Sequence, residues 1–161
     1  MDHARRIAET ARKHGLPETL VEAVVNVESG GDTWAIRYEP RFFERYLRDN
    51  PGVRAKAPCS LETERRAQAT SWGLMQVMGA TARAMGFDGP FLSALGDPDQ
   101  GLEVGCACLA RQRDRHLAAH GWQGVAAAYN AGGVRREPDG RFANQDYVDK
   151  IARRLGGRWP S

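Results

Sequence analysis

The fold is decided around residues 20–28, which read LVEAVVNVE. Val21, Val25 and Glu28 recur at helical spacing, so the segment predicts an α-helix whose apolar face ends in an acid. Residues 29–31, Ser-Gly-Gly, stop this helix, and Glu28 is therefore predicted to lie in its last turn.

At that position the negative end of the helix dipole and the apolar neighbours both disfavour ionisation of the Glu28 carboxyl group. A carboxyl group that stays protonated near neutral pH is what a general acid requires. For the segment taken alone, the alternative is an ordinary solvated glutamate at a frayed helix end.

Two further motifs follow in the chain. Residues 71–79 read SWGLMQVMG, and residues 127–133 read AAYNAGG. Glu-Ser-Gly, then Gly-Leu-Met-Gln, then Ala-Tyr-Asn-Ala-Gly, in this order, resembles the lytic transglycosylase and goose-type lysozyme superfamily, and phage endolysins and virion-associated members most of all. The resemblance covers the chain from about Leu16 to Leu155. It implies a mainly α, lysozyme-like fold with at most a small β element, in a single catalytic domain over residues 1–161.

The resemblance also implies an activity. A lytic transglycosylase cleaves the β-1,4 bond between N-acetylmuramic acid and N-acetylglucosamine in the glycan strands of peptidoglycan. One glutamate serves as acid and then as base, and Glu28 matches that position. The C6 hydroxyl of the muramic acid attacks in place of water and leaves a 1,6-anhydro end. No metal or organic cofactor is implied.

The motif residues other than Glu28 have side chains that suit a sugar-binding cleft. Gly73 permits close approach of backbone or sugar, and the amide of Gln76 both donates and accepts hydrogen bonds. Tyr147 resembles a tyrosine of the family whose hydroxyl bonds the catalytic carboxyl group. Core packing is the alternative for Met75 and for Tyr147. The predicted substrate-binding residues are Ser71, Gly73, Met75, Gln76, Tyr129, Asn130 and Tyr147.

The chain departs from many soluble transglycosylases at residues 69–72, where Ala-Thr-Ser-Trp stands in place of Ser-Pro-x-Gly-Ala. Together with residues 37–43, RYEPRFF, this departure is more similar to phage-type muramidases. Such relatives can hydrolyse the same bond, with an acidic residue that positions a water molecule. Glu39 is the candidate second acid for such a reaction, with Asp32 and Glu44 behind it. The alternative is that Glu39 is an ordinary surface acid in the extended conformation that precedes a proline.

Two other functions stay open from the sequence. One is a non-catalytic, lysozyme-like module of a virion that binds glycan without cutting it. A binding module does not call for an acid at a helix end, which counts against this alternative. The other is cleavage of chitin, because chitin is also an N-acetylated β-1,4 glycan.

Length, composition and charge restrict the class of protein. The chain has 161 residues, of which 42% are hydrophobic and 27% charged, as in an ordinary globular domain. The net charge of +3 suits an anionic surface such as a cell wall, and the scattered basic residues show no nucleic-acid motif. No apolar run approaches the roughly 20 residues of a membrane span.

The N-terminal residues lack the apolar core of a signal peptide. We therefore expect synthesis in the cytoplasm and action on the cell wall after delivery in a phage particle, release by a holin or fusion to an exported chain. Other phage virion or lysis proteins are candidate partners.

The cysteines and histidines carry no clear chemistry. An odd number of cysteines argues against a disulfide framework, so Cys59, Cys106 and Cys108 are predicted to be buried thiols. His116 and His120 have the spacing of a helical metal pair but no third ligand, which favours solvated histidines and no metal site.

The remaining elements are predicted from local signals. Ser60 and Asp97 each precede a stretch of good helix formers and are expected to cap helices, and Asn144 is expected to cap the last one. The predicted elements are helices at Ala4–His14, from Pro17 to Glu28, from Pro40, from Ser60, from Asp97 to His120, at Trp122–Asn130 and from Asn144, and a strand or extended arm at Trp34–Tyr38.

Overall fold

The computed structural model describes residues 3–161, and the first two residues of the predicted domain lie outside this range. The described part is mainly α-helical with one small sheet, as predicted. In chain order its elements are α1 (Ala4–Lys13), α2 (Glu18–Ser29), β1 (Ile36–Tyr38), α3 (Pro40–Phe42), a π-helix (Phe43–Leu47), α4 (Leu61–Gln68), β2 (Thr70–Trp72), β3 (Val77–Met78), α5 (Gly79–Ala84), a 3-10 helix (Leu92–Gly96), α6 (Pro98–Ala131) and α7 (Gln145–Arg154).

The chain divides into two compact units. The first contains the residues up to Val27 together with Cys106–Ser161, and the second is Glu28–Gly105. The expectation of a single domain over the whole chain stays a prediction. Among residues 3–161, no helix is both long enough and apolar enough to cross a bilayer.

Helix α6 begins within the second unit, where Asp97 accepts hydrogen bonds from the backbone of Asp99 and Gln100, which confirms the predicted cap. Gly121, at φ 63° and ψ −175°, interrupts the helix. The predicted end near His120 and the short helix that follows are thereby confirmed. The first unit contains a cluster of buried side chains at the end of α6 and after it: Ala127, Phe142 and Val148, with Val134 and Trp159 against them.

The second unit contains the three-stranded antiparallel sheet, in the order β1-β2-β3. Ile36 lies opposite Trp72, and Ser71 lies opposite Met78. Strand β1 is therefore an edge strand, and all three of its residues are exposed. Phe43, the first residue of the π-helix, packs in a buried cluster with Leu47, Val53 and Ala69.

A buried ion pair fixes helix α4 in the second unit. Ser60 caps the helix as predicted, with its Oγ accepting from the Thr63 backbone. The carboxylate of Glu64 is fully buried, and Arg83 donates to its two oxygens over 2.8 and 2.9 Å. A second donor of the carboxylate is the Gln68 amide, over 2.8 Å. The same guanidinium also donates to the carbonyls of Phe87 and Gly89, so it holds the loop that follows α5.

The thiol prediction is confirmed, because all three cysteines are buried and none forms a disulfide. Burial raises the pKa of the Cys108 thiol to about 11. It also raises the pKa of Cys59, with the nearby Glu64 carboxylate acting in the same direction. Both thiols are therefore protonated at neutral pH and behave as small apolar groups.

Candidate active site

Glu28 is half-buried in the last turn of α2, where the sequence predicts it. Gly30 and Gly31 follow with φ of 63° and 85° and turn the chain away from the helix axis. In this left-handed region glycine has no steric cost, which explains why the helix ends here. The carboxyl group consequently belongs to the helix end at which the peptide carbonyls concentrate negative charge.

Ser29 fastens this helix end to the second motif. Its hydroxyl donates to the Leu74 carbonyl over 2.8 Å and accepts from the Gly31 backbone over 3.2 Å. The sequence pattern predicts Ser29 only as part of the segment that ends the helix. Its position directly after the acid is the signal that could have identified it as a positioning residue.

The Gly-Leu-Met-Gln motif forms the turn between β2 and β3, at residues 73–76. The Gly73 backbone donates to the Ala35 carbonyl over 2.9 Å. The side-chain nitrogen of Gln76 donates to the same carbonyl over 2.8 Å and to the Gly73 carbonyl over 3.0 Å. The motif therefore binds together its own turn and the loop that leads from Glu28 to β1.

Gly73 is required by two features of this turn. Its φ is 68°, and a Cβ at this position would lie 2.4 Å from the Leu95 carbonyl oxygen. The close approach predicted at Gly73, of either backbone or sugar, is thus made by the backbone of Leu95. Gln76 also has a positive φ, of 48°, which a residue with a side chain adopts at some cost. Strained backbone of this kind is common at functional sites.

Two of the predicted substrate-binding residues lie in the interior of the second unit. Met75 is fully buried, and Ser71 on β2 is nearly so. The Met75 thioether fills the space that a side chain at Gly105 would need, since a Cβ there would lie 2.4 Å from its sulfur. The structure thus gives Met75 a packing role, and contact of either residue with substrate stays a prediction.

Glu39, the candidate second acid, is half-buried between β1 and α3. The Arg37 guanidinium donates to its carboxylate over 2.5 Å, and its backbone donates to the Ala69 carbonyl. The two reserve candidates are also engaged. Asp32 accepts from the Trp34 backbone over 2.9 Å, and Glu44 pairs with Arg48.

The third motif lies in the first unit, at the end of α6. Tyr129 is half-buried, Asn130 is exposed, and Tyr147 is buried in the first turn of α7. Asn144 joins these two helices, because its side-chain nitrogen donates to the Ala127 carbonyl over 3.0 Å and to Asn130 Oδ1 over 2.9 Å.

This bond corrects the predicted role of the Asn144 side chain. Asn144 does precede α7, but its side chain makes no capping hydrogen bond to that helix. The amide is directed instead to the end of α6, where it donates to the Ala127 carbonyl and to Asn130 Oδ1. Sequence reasoning missed this bond because the two residues are far apart in the chain.

The nine predicted residues therefore fall into two groups. Six belong to the second unit, and three belong to the first. In the second unit, direct hydrogen bonds join the helix end after Glu28 to the turn of Gly73 and Gln76. In the first, the Asn144 bond joins the Tyr129-Asn130 segment to the helix of Tyr147.

Two other features of the first unit stand outside these groups. A cavity of about 520 Å³ lies between α2 and the end of α7, with Thr19, Asn26, Arg154 and Arg158 among its lining residues. The rings of His116 and His120 lie 6.1 Å apart. Within the described range, no group of three potential ligand side chains is arranged to hold a metal ion.

Comparison with known proteins matches most of the chain to one family. The family model described as Transglycosylase SLT domain matches residues 5–148, which include all nine predicted site residues. The endolysin of Enterobacteria phage PRD1 is 38% identical over 68 residues, which make up 38% of this chain and 46% of that protein. The chain thus spans about half the length of this curated relative.

Proposed function

Because the chain belongs to the SLT transglycosylase family, we propose that it degrades peptidoglycan as a lytic transglycosylase. The bond cleaved is the β-1,4 linkage between N-acetylmuramic acid and N-acetylglucosamine. The observation that carries the proposal is the position of Glu28 at a half-buried helix end, tied through Ser29 to the Gly73–Gln76 turn. An acid held by such a scaffold has the fixed geometry that proton transfer requires.

Glu28 acts twice in the proposed reaction. As an acid it protonates the glycosidic oxygen, while the N-acetyl group of the substrate stabilises the positive charge that develops at C1 of the muramic acid. The bond between C1 and the protonated oxygen breaks, and N-acetylglucosamine leaves with that oxygen as its 4-hydroxyl. As a base, Glu28 then takes the proton of the C6 hydroxyl, whose oxygen bonds to C1. The proton lost in the first step is thereby regained, and the product carries a 1,6-anhydro ring.

Hydrolysis of the same bond is the competing proposal, with Glu39 positioning a water molecule. The ion pair of Glu39 with Arg37 weighs against it, since the carboxylate oxygen nearest the guanidinium accepts over 2.5 Å. This oxygen is occupied by the guanidinium and is therefore less available to position a water molecule. Glu28 alone suffices for the transglycosylase reaction, which we therefore favour.

The family and the phage relative support action on the cell wall. The relative is named an endolysin. We propose the same place of action for this chain, with glycan strands as the partner and a phage particle or a lysis protein as the means of delivery.

Product analysis tests the proposal. Purified sacculi are digested with the protein, and the soluble fragments are identified by mass spectrometry. Anhydromuramoyl ends are expected, whereas reducing ends would establish hydrolysis. A zymogram without any clearing, at high protein concentration, would instead favour a binding module, and release of oligosaccharides from chitin alone would place the substrate elsewhere.

A variant pair assigns the catalytic residue. Glu28→Gln is expected to lower turnover by at least about 100-fold, because the amide cannot donate the proton. Glu22→Gln is the matched control, since Glu22 is exposed on the same helix. Turnover of Glu28→Gln at the level of this control would remove Glu28 from the mechanism.

A further inference from the structure

Trp34 is the most exposed large hydrophobic residue in the described part of the chain. Its exposed fraction is 77%, and that of Ile36, two residues later, is 64%. Burial of an indole ring contributes a large favourable free energy, so an indole that stays exposed to water commonly marks a binding surface. Neither residue has a part in the reaction proposed above.

Trp34 is nevertheless held in place. Its backbone donates to the Asp32 carboxylate over 2.9 Å. One edge of the indole lies against Gly96, where a Cβ would be 3.5 Å from Cε3 of the ring. The hydroxyl of Thr33 donates to the Gly96 carbonyl, so the residue before Trp34 is bound to the same glycine.

The residue after Trp34 is fixed as well. The Ala35 carbonyl accepts from the Gly73 backbone and from the Gln76 side chain. The exposed indole is therefore part of the loop that runs from Glu28 to β1, and this loop is bonded to the Gly73–Gln76 turn of the candidate site. A ring that is ordered before binding loses little entropy when a ligand covers it.

The surroundings of the indole favour a sugar as the ligand. A pyranose ring presents a face of C–H groups for contact with an aromatic ring, and its hydroxyl groups need polar partners at the edge. Trp34 offers such a face, and the Asp32 carboxylate, which accepts from the Trp34 backbone, is a polar group close to it. A protein partner would call for a continuous apolar patch with few charges at its centre.

We propose that Trp34 is a glycan-binding residue, which stacks on a sugar ring of the peptidoglycan strand that Glu28 cleaves. The inference rests on the proposed function, because it takes the substrate to be a glycan strand. Trp34 follows Glu28 by six positions, which keeps their Cα atoms within roughly 22 Å of each other, a distance that one extended glycan strand can cover. The net charge of +3 also suits this ligand, whose peptide stems carry carboxylates.

Binding is measured in the background of Glu28→Gln, so that the probe is not consumed. The probe is purified uncrosslinked glycan strands, titrated by calorimetry. Trp34→Ala is expected to raise Kd about tenfold, and Trp34→Phe, which keeps an aromatic face, is expected to restore most of the affinity. Tyr46→Ala is the matched control, because Tyr46 is an exposed aromatic residue of the π-helix, and we expect its Kd to equal that of the parent.

Two further readouts separate binding from a structural role. In the protein that keeps Trp34, the tryptophan fluorescence maximum is expected to shift to shorter wavelength when glycan covers the indole. This shift is expected to disappear in Trp34→Phe. In the active background, Trp34→Ala is expected to raise KM about tenfold while kcat stays within about twofold.

The outcomes distinguish this inference from the proposed function. Unchanged Kd in Trp34→Ala, or a loss confined to kcat, would overturn the role of Trp34 even if the protein cleaves peptidoglycan. Loss of binding in Trp34→Ala, in a protein that proves not to cleave glycan, would support the role of Trp34 while overturning the catalytic proposal.

Discussion

The hydroxyl of Ser29 donates to the carbonyl of Leu74 over 2.8 Å, across 45 positions of the chain. This bond joins the first motif of the family directly to the second. The acid therefore owes its placement to the serine beside it, since a helix end held only by its own backbone would fray. The hydrogen bond of Ser29 thus fixes the helix end that carries Glu28.

Removal of this hydroxyl is expected to affect both catalysis and stability. Ser29→Ala loses the hydrogen bonds to the Leu74 carbonyl and from the Gly31 backbone, worth together about 2 kcal/mol of unfolding free energy. We expect kcat to fall about tenfold because the carboxyl group is less well positioned. Ser29→Thr, which keeps the hydroxyl, serves as the control. Equal kcat in all three proteins would show that the tie is dispensable.

Gly73 is expected to tolerate no side chain. Gly73→Ala adds a Cβ that would lie 2.4 Å from the Leu95 oxygen, in addition to the strain of φ 68°. We expect a loss of about 2 to 4 kcal/mol of unfolding free energy, measured by urea denaturation. Gly30→Ala is the control, because its φ is 63° but nothing lies within 4 Å, and about 1 kcal/mol is expected for it. Similar losses in the two variants would contradict the steric argument.

The buried ion pair gives a third prediction. Arg83→Ala leaves the Glu64 carboxylate in the interior without its cation and releases the loop carbonyls of Phe87 and Gly89. We expect about 3 to 5 kcal/mol of destabilisation by chemical denaturation. The double variant Glu64→Leu with Arg83→Met is expected to recover much of this loss, since no charge then remains buried. A loss below about 1 kcal/mol for Arg83→Ala would mean that water reaches the carboxylate.

The Cys108 thiol predicts a dependence of stability on pH. Its folded-state pKa of about 11 is raised by burial above the value of about 9 in the unfolded chain. The unfolded state therefore loses its proton first, and the stability present below pH 9 declines as pH rises towards 11, by about 2 to 3 kcal/mol. The decline is measured as unfolding free energy against pH. Cys108→Ala is expected to show a shallower slope in this window, and equal slopes would contradict the assignment.

Short-range signals accounted for most of the helices. Asp97 followed by Pro98, and Ser60 followed by two acids, predict helix starts because a cap acts within one turn. Gly121 is likewise visible as a break in α6. These features depend on neighbouring residues alone, and the structure has them where the sequence places them.

The hairpin of residues 70–78 could not be predicted in this way. Its strands are only two and three residues long, so neither a strand nor a helix period is visible. The positive φ of Gln76 and the interior position of Met75 depend on this turn. Resemblance to a family identified the residues of the turn, but their geometry depends on contacts distant in sequence, such as those with Ala35 and Leu95.

The burial of the three cysteines has a consequence for where the protein can operate. A protein that acts on a cell wall meets oxidising surroundings, in which accessible thiols form mixed disulfides and intermolecular crosslinks. Sulfhydryl groups that are shielded from solvent and kept protonated react slowly with such oxidants. Burial of all three cysteines would thus prevent molecules of this chain from becoming linked through surface thiols in such surroundings.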